Sequence, residues 1–278
     1  MCRFLTVAVL LAFGSAASAQ DFTPDRSQPA TLTDLAVTIR EVSYPDAGGG
    51  TTEATLVAPK ASGKYPAVLF VHWYGPEHTN SNRTQYVPDA LALARKGVVS
   101  LLIDTPWSEP TWFRKRDPSR DAEFSTLMVK RLRRAIDMLA AIDSVDAERL
   151  ALAGHDFGAM YGSIAAGLEP RIKAFVFTAG TARFADWWIL GRKLEGDARA
   201  AVYSEHAPFD PVAHVAKVKA PTLLQFATKD PYVSKDAAQS LIDAAAGPKE
   251  AKFYEAGHEM SYDAMVDRVA WLVKTLGR

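Results

Sequence analysis

Short apolar runs that alternate with segments of helical periodicity constrain the fold of this chain more than any other feature. A continuous apolar run is typical of a strand buried on both faces, as strands are in parallel sheets. Strands that alternate with helices predict an α/β fold, in which helices cover both faces of a mostly parallel sheet. The runs are PAVLFVH (66–72), VVSLLID (98–104), RLALAG (149–154), KAFVFTAG (173–180) and PTLLQFAT (221–228).

Weaker patterns complete a sheet of the eight-stranded type. Alternating apolar and polar residues predict two early strands on either side of a PDAGGG turn. A long amphipathic helix is predicted from an apolar stripe made of Leu127, Leu132, Ile136 and Leu139. The remaining predicted elements are strands over 35–44, 51–59 and 251–256, helices over 86–97 and 121–142, a loop over 105–120 and a C-terminal helix ending near Leu276.

The segment 180–216 interrupts the alternation of strands and helices. It contains Trp187, Trp188, Tyr203 and His206 but no further apolar strand pattern. We predict a small lid insertion over the carboxyl edge of the sheet, because ligands of such folds bind at that edge.

The first residues have the composition of a secretory signal peptide. A basic residue precedes an apolar run too short to span a bilayer, and small residues follow up to Ala19. We therefore expect residues 1–19 to be removed and the protein to be periplasmic or secreted. Residues 20–33, rich in Pro, Ser, Thr and Asp, are expected to form a loosely ordered lead-in to one domain over 34–278. Cys2 is the only cysteine and lies in the removed segment, so the mature chain has no thiol nucleophile.

The charge balance argues against nucleic acid and anionic membranes as partners. The chain has 32 basic and 32 acidic residues, which provide no electrostatic attraction to polyanions. His72 and His78 do not have the spacing of a metal site, and no motif indicates a cofactor. A small-molecule substrate is therefore the expected partner, and the composition leaves the oligomeric state open.

Three polar residues follow predicted strands in an order that suggests catalysis. Asp156, in GHDFG, lies between a strand and a helix, where flanking glycines allow a sharp turn that exposes the side chain. Asp230 and His258 each follow a later strand. The order nucleophile, acid, histidine is that of an α/β-hydrolase triad.

The quoted motifs carry a resemblance to a known family. GHDFG (154–158), KDPYV (229–233) and AGHEM (256–260) resemble those of the α/β-hydrolase superfamily, and most closely the dienelactone hydrolase family. That family usually has cysteine at the turn. The aspartate instead resembles the nucleophile of epoxide hydrolases and haloalkane dehalogenases. The resemblance implies a catalytic triad of Asp156, Asp230 and His258.

An aspartate favours a chemistry different from that of serine or cysteine. Its carboxylate is ionised at neutral pH and is suited to displacing a leaving group from an sp³ carbon. His258, oriented by Asp230, would then activate water to hydrolyse the ester formed on Asp156. The oxyanion of that step would accept hydrogen bonds from the backbone N–H groups of Trp73 and Phe157. Further substrate-binding candidates are His72, Tyr74, Trp107, Trp187, Trp188 and Tyr203.

Three functions are open at this point. The first is an exported hydrolase that uses Asp156 as covalent nucleophile on a small uncharged or apolar substrate. The second is an ester or lactone hydrolase, similar to dienelactone hydrolase, in which Asp156 is not the nucleophile. The third is a non-catalytic binder of small molecules, because a fold does not by itself secure a function.

Overall fold

A nine-stranded sheet forms the centre of the protein, for which a computed structural model describes residues 23–24 and 36–277. The predicted signal peptide and most of the predicted lead-in lie outside these residues. Within the lead-in, Thr23 and Pro24 pair with the first long strand. The strands are β1 (Thr23–Pro24), β2 (Val37–Pro45), β3 (Thr51–Pro59), β4 (Tyr65–Val71), β5 (Val99–Ile103), β6 (Val145–His155), β7 (Ile172–Thr178), β8 (Thr222–Ala227) and β9 (Lys249–Tyr254).

The strand order confirms the predicted α/β class. The order is β1-β2-β3-β5-β4-β6-β7-β8-β9. The pairs β1/β2, β2/β3 and β3/β5 are antiparallel, and every later pair is parallel. The central apolar runs are buried on both faces, which is why they lack alternation. The carboxyl ends of β4, β6, β7, β8 and β9 therefore meet along one edge.

Helices cover both faces of the sheet. On one face, α1 and α9 bury Leu93, Trp271 and Leu272. On the other face, α3 and α4 contribute apolar side chains to a larger core. The helices are α1 (Val87–Ala94), α2 (Trp112–Lys115), α3 (Asp121–Ala140), α4 (Phe157–Leu168), α5 (Phe184–Trp188), α6 (Gly196–His206), α7 (Pro211–Val215), α8 (Lys235–Ala244) and α9 (Tyr262–Leu276).

Local boundaries differ from the sequence predictions in a few places. The stripe of α3 is buried at Leu132, Ile136 and Leu139, but Leu127 is only half-buried and Met128 takes its place in the core. The predicted loop 105–120 contains the one-turn helix α2. These differences leave the sheet edge unchanged.

The segment 180–216 is helical and follows β7. It contains α5, α6 and α7, and it lies beside the carboxyl ends of the strands. Of its aromatic residues, Trp187 reaches the cavity described below. Within residues 36–277, no helix combines the length and apolar character needed to cross a membrane.

Candidate active site

The turn between β6 and α4 places Asp156 at the carboxyl edge of the sheet. Asp156 has φ 60° and ψ −125°, a left-handed conformation that is strained for any residue except glycine. Its backbone N–H donates to the carbonyl oxygen of Thr178 at 3.0 Å. A Cβ atom at Gly154 would lie 2.3 Å from the carbonyl oxygen of Gly158, and one at Gly158 would lie 2.2 Å from that of Val71. Both glycines are therefore required by the close approach of strand and helix.

Replacing Gly158 with alanine is expected to destabilise the protein strongly. The added methyl group overlaps backbone atoms that cannot rotate away, so we expect the free energy of unfolding to fall by about 3 kcal/mol or more. Urea unfolding measures this change. Gly50→Ala is the matched control, because its nearest neighbour would be a side-chain oxygen at 3.5 Å. An equal effect of the two substitutions would contradict the close approach.

The structure brings the three triad candidates together. Nδ1 of His258 donates to Oδ2 of Asp230 at 2.8 Å, and its Nε2 lies 3.4 Å from Oδ2 of Asp156. Asp230 is itself held by the N–H groups of Tyr232 and Val233, both of which donate to its Oδ1. Because all three side chains of the triad are at least nine-tenths buried, their charges interact with little screening by water.

The electrostatics of His258 are set by burial and by the two carboxylates. Burial alone would lower its pKa, but Asp156 and Asp230 outweigh this effect and raise the pKa of His258 to about 9. Burial raises the pKa of Asp156, while the contact with His258 and the N–H groups of Tyr74 and Phe157 oppose that rise. At neutral pH the His258 ring therefore carries a proton, and its Nε2 lies beside the Asp156 carboxyl group.

A chain of hydrogen bonds joins the loop after β4 to the loop that carries His258. The N–H of Trp73 donates to Oε1 of Gln85 at 2.9 Å, and Nε2 of Gln85 donates to Nδ1 of His155 at 2.6 Å. Nε2 of His155 then donates to the carbonyl oxygen of His258 at 2.8 Å. Burial holds the pKa of His155 well below its ordinary value, so its ring is neutral and serves as donor and acceptor at once.

These hydrogen bonds correct one of the two predicted oxyanion-hole donors. The N–H of Trp73 is used by Gln85, whereas the N–H of Tyr74 donates to Oδ2 of Asp156 at 3.0 Å. The prediction of Trp73 was therefore wrong by one residue. Phe157, the other predicted donor, directly follows Asp156 at the start of α4, and its N–H opposes the rise that burial causes in the pKa of Asp156.

A cavity of about 470 Å³ opens above Asp156 and His258. Its wall is mostly apolar, as expected of a small-molecule site. The exposed carboxylates of Glu77 and Glu259 lie at the opening of the cavity, which is called its lip below. The lining residues are Trp73, Tyr74, Gly75, Pro76, Glu77, His78, Phe113, Asp156, Phe157, Trp187, Leu190, Pro231, Tyr232, Gly257, His258 and Glu259.

Two of the predicted substrate-binding residues, Tyr74 and Trp187, line this cavity. His72 does not, because it is fully buried, with Nδ1 against the carbonyl oxygen of Trp73 and Nε2 against two hydroxyl groups. Trp107 is also buried and donates to the carbonyl oxygen of His72 at 3.0 Å. These two predictions were wrong because both side chains pack beneath the loop rather than above it.

Trp188 and Tyr203 also lie away from the cavity. Trp188, the last residue of α5, is fully buried in the core and does not line the cavity. Tyr203 donates its hydroxyl to Asp186. Their assignment to the substrate site was therefore wrong.

Several residues of the site were not predicted. Gln85 and His155 hold the two loops, and Tyr232, Glu77 and Glu259 form part of the cavity wall. His155 directly precedes Asp156, which is a signal that sequence analysis could have used, whereas Gln85 has no such signal. Within the described part of the chain, no group of three or more His, Cys, Asp or Glu side chains is arranged to hold a metal ion.

Several solved structures with a similar fold are described as esterases. They include an acetyl xylan esterase from Paenibacillus sp. R4, with 20% identity, a TM-score of 0.70, and coverage of 91% of this chain and 88% of the other. Acetyl xylan esterase 1 from Thermoanaerobacterium sp. JW/SL YS485 has 14% identity, a TM-score of 0.70 and coverage of 91% and 87%. A cold-adapted esterase from an Arctic intertidal metagenomic library has 17% identity, a TM-score of 0.64 and coverage of 91% and 97%. At these identities the likeness shows the fold alone.

Family membership rests on a sequence model rather than on these structures. No curated protein sequence matches the chain. The model described as "Dienelactone hydrolase family" matches residues 52–264, a stretch that includes Asp156, Asp230 and His258. The protein is therefore a hydrolase that belongs to the dienelactone hydrolase family.

Proposed function

We propose that the protein hydrolyses a small ester or lactone in the cavity above Asp156 and His258. One observation carries this proposal: His258 lies between two carboxylates at the base of an apolar cavity, with the N–H of Tyr74 beside them. Family membership and the esterase descriptions of the similar structures support the same bond class.

The proton on His258 suggests that Asp156 acts as the base and His258 as the acid. Asp156 accepts a proton from water as the water oxygen attacks the substrate carbonyl carbon. The oxyanion forms near the N–H groups of Tyr74 and Phe157. The alkoxide then leaves with the proton of His258 Nε2, and the proton on Asp156 passes to His258 to restore the starting state.

A second candidate is covalent attack by Asp156 on an sp³ carbon of a lactone, epoxide or halide. The observation that favours it is the hydrogen bond from the N–H of Tyr74 to the Asp156 carboxylate itself. Hydrolysis of an ester on Asp156 would form its oxyanion at that place. Esterification would also remove the negative charge of Asp156 and thereby lower the pKa of His258. The ring could then lose its proton and act as the base that the hydrolysis step needs.

A single turnover in heavy-oxygen water separates the two routes. The substrate is taken from a screen of esters, lactones, epoxides and haloalkanes. Direct water attack gives labelled product and an unlabelled Asp156 peptide. Covalent attack gives unlabelled product and a labelled peptide. Turnover of no compound in the screen would reject both routes and favour the non-catalytic binder.

Replacing Gln85 with alanine is expected to lower kcat by about 10- to 100-fold, because loosening both loops displaces the reacting groups by fractions of an ångström. Steady-state kinetics measure this, and KM is expected to change less than kcat. Gln239→Ala on the exposed surface of α8 is the control. A kcat equal to that of the control would show that the chain from Trp73 to His258 has no positioning role.

We also propose that the protein is exported, on the basis of the signal-peptide composition of residues 1–19. The mature chain is then expected to begin near Gln20. N-terminal sequencing of protein recovered from the periplasm or the medium tests this. Recovery of a chain that begins at Met1 would contradict the proposal.

A further inference from the structure

The lip of the cavity is acidic. Glu77 and Glu259 are both exposed and both line the opening. Neither side chain forms an ion pair with another described residue at a distance of 4.0 Å or less. Below the lip, Asp156 is buried, and its Oδ1 has no hydrogen-bond partner among the described residues. A ligand that enters the cavity therefore meets carboxylates at both ends of its path.

Positive charge near the cavity is limited. No lysine or arginine is among the described residues that line it. Lys229 directly precedes Asp230 in the sequence, but its ammonium group forms an ion pair with Glu255 at 2.8 Å. Burial raises the pKa of Tyr74, and Arg114, on α2, opposes that rise but does not line the cavity. The protonated ring of His258 is in the wall, but Asp156 and Asp230 offset its charge, and the imidazole of His78 also lines the cavity.

Aromatic rings occupy the wall between the lip and the base. The ring centroids of Tyr232, Trp187 and Trp73 lie 5.1, 5.9 and 6.0 Å from that of His258. Tyr232 is 53% exposed, so its ring faces solvent as well as the opening. The faces of such rings attract cations, most strongly when the cation is partly removed from water. Carboxylates outside and aromatic faces inside form the chemical setting that recognises an organic cation.

We propose that the substrate of this site carries a tertiary or quaternary ammonium group at the end remote from the bond that is broken. This inference rests on the proposed ester or lactone hydrolysis and replaces the uncharged substrate predicted from sequence. The ammonium group lies at the lip, between the carboxylates and the exposed ring of Tyr232. It cannot lie at the base, because the proton on His258 repels it there. A carboxylate-bearing ester is disfavoured by the same charges.

A matched set of esters tests the proposal. Butyrylcholine, its uncharged isostere 3,3-dimethylbutyl butyrate and a butyrate ester that ends in a carboxylate differ mainly in charge. We expect kcat/KM for the cation to exceed that for the isostere by about tenfold at low salt. The carboxylate should be the poorest substrate. Added sodium chloride should reduce the ratio, because the lip is exposed to solvent.

A charge-neutralised variant locates the source of the preference. Glu77→Gln combined with Glu259→Gln is expected to bring the ratio of cation to isostere close to one. Glu148→Gln is the control, because Glu148 is exposed at the opposite end of β6. An unchanged ratio in the double variant, or equal hydrolysis of cation and isostere by the wild type, would overturn the inference while leaving ester hydrolysis in place.

Binding of tetramethylammonium separates failure of the inference from failure of the proposed function. It is measured by quenching of tryptophan fluorescence in the wild type and in the double variant. If no ester is hydrolysed but the ion binds at least about tenfold more weakly to the double variant, the cation site stands and the hydrolytic function fails. If the ion binds both proteins equally or neither, the cation site is rejected.

Discussion

Replacing Asp156 with asparagine is expected to lower kcat by at least about 10³-fold on any substrate that the wild type hydrolyses. The amide is neutral, so it neither accepts a proton from water nor attacks carbon. Its shape matches that of the carboxylate, and asparagine tolerates positive φ, so the turn is retained. Because burial raises the pKa of Asp156, its ionised form costs folding free energy. This cost offsets the ion pair with His258 that the variant loses, and we therefore expect its melting temperature to stay close to that of the wild type.

Steady-state kinetics and thermal unfolding check both parts of this expectation. Asp143→Asn, on an exposed turn, is the control for the loss of one negative charge. Activity of Asp156→Asn within tenfold of the wild type would show that Asp156 has no catalytic role. A large fall in melting temperature together with the loss of activity would instead point to a structural role for the carboxylate.

Replacing His258 with glutamine is expected to have an effect of similar size, about 10³-fold on kcat. Glutamine cannot supply the proton that the leaving oxygen requires. In the wild type, direct water attack needs the protonated ring, so activity should fall as pH rises through about 9. The variant should show no such alkaline limb. Wild-type kcat in the variant would contradict a role for His258 in proton transfer.

Intact-mass measurement on the same variant adds a second readout. If Asp156 acts as covalent nucleophile, His258→Gln blocks only the hydrolysis of the ester, and a substrate adduct accumulates. If water attacks directly, no adduct forms.

The free energy of unfolding should also depend on pH, through the same ionisation of His258. The folded-state pKa of His258 lies above the unfolded value of 6.5, so its ion pairs contribute fully below that pH. This contribution is lost as pH rises through about 9. The difference in unfolding free energy between the wild type and His258→Gln should therefore be largest below pH 6.5 and shrink towards alkaline pH.

The strands that can be predicted from the sequence are those that have the same buried environment on both faces. Strands β4, β5, β7 and β8 are buried on both faces, so each appears as an unbroken apolar run. The turn at Asp156 was visible because two backbone contacts exclude every side chain from the flanking positions. Asp230 and His258 were visible because they follow strands whose carboxyl ends share one edge.

The remaining features depend on contacts between segments distant in the chain. Which N–H after β4 faces the site depends on Gln85, which lies just before α1 and accepts a hydrogen bond from the N–H of Trp73. Trp187 and Trp188 are neighbours in a helix of a single turn, and their pattern alone does not indicate which one faces the cavity. The acidic lip combines loops that follow β4 and β9. None of these arrangements produces a local pattern of residues.

The contacts of the turn at Asp156 also determine when the site can form during folding. Its backbone meets Val71 at the end of β4 and Thr178 at the end of β7, which lie on either side of β6. The strained φ of Asp156 persists only because the surrounding structure holds it, and these two strands supply contacts that do so. The first turn of α4 therefore closes only after three strands from distant parts of the chain have aligned. Recovery of activity during refolding would then report the completion of the sheet rather than an early collapse.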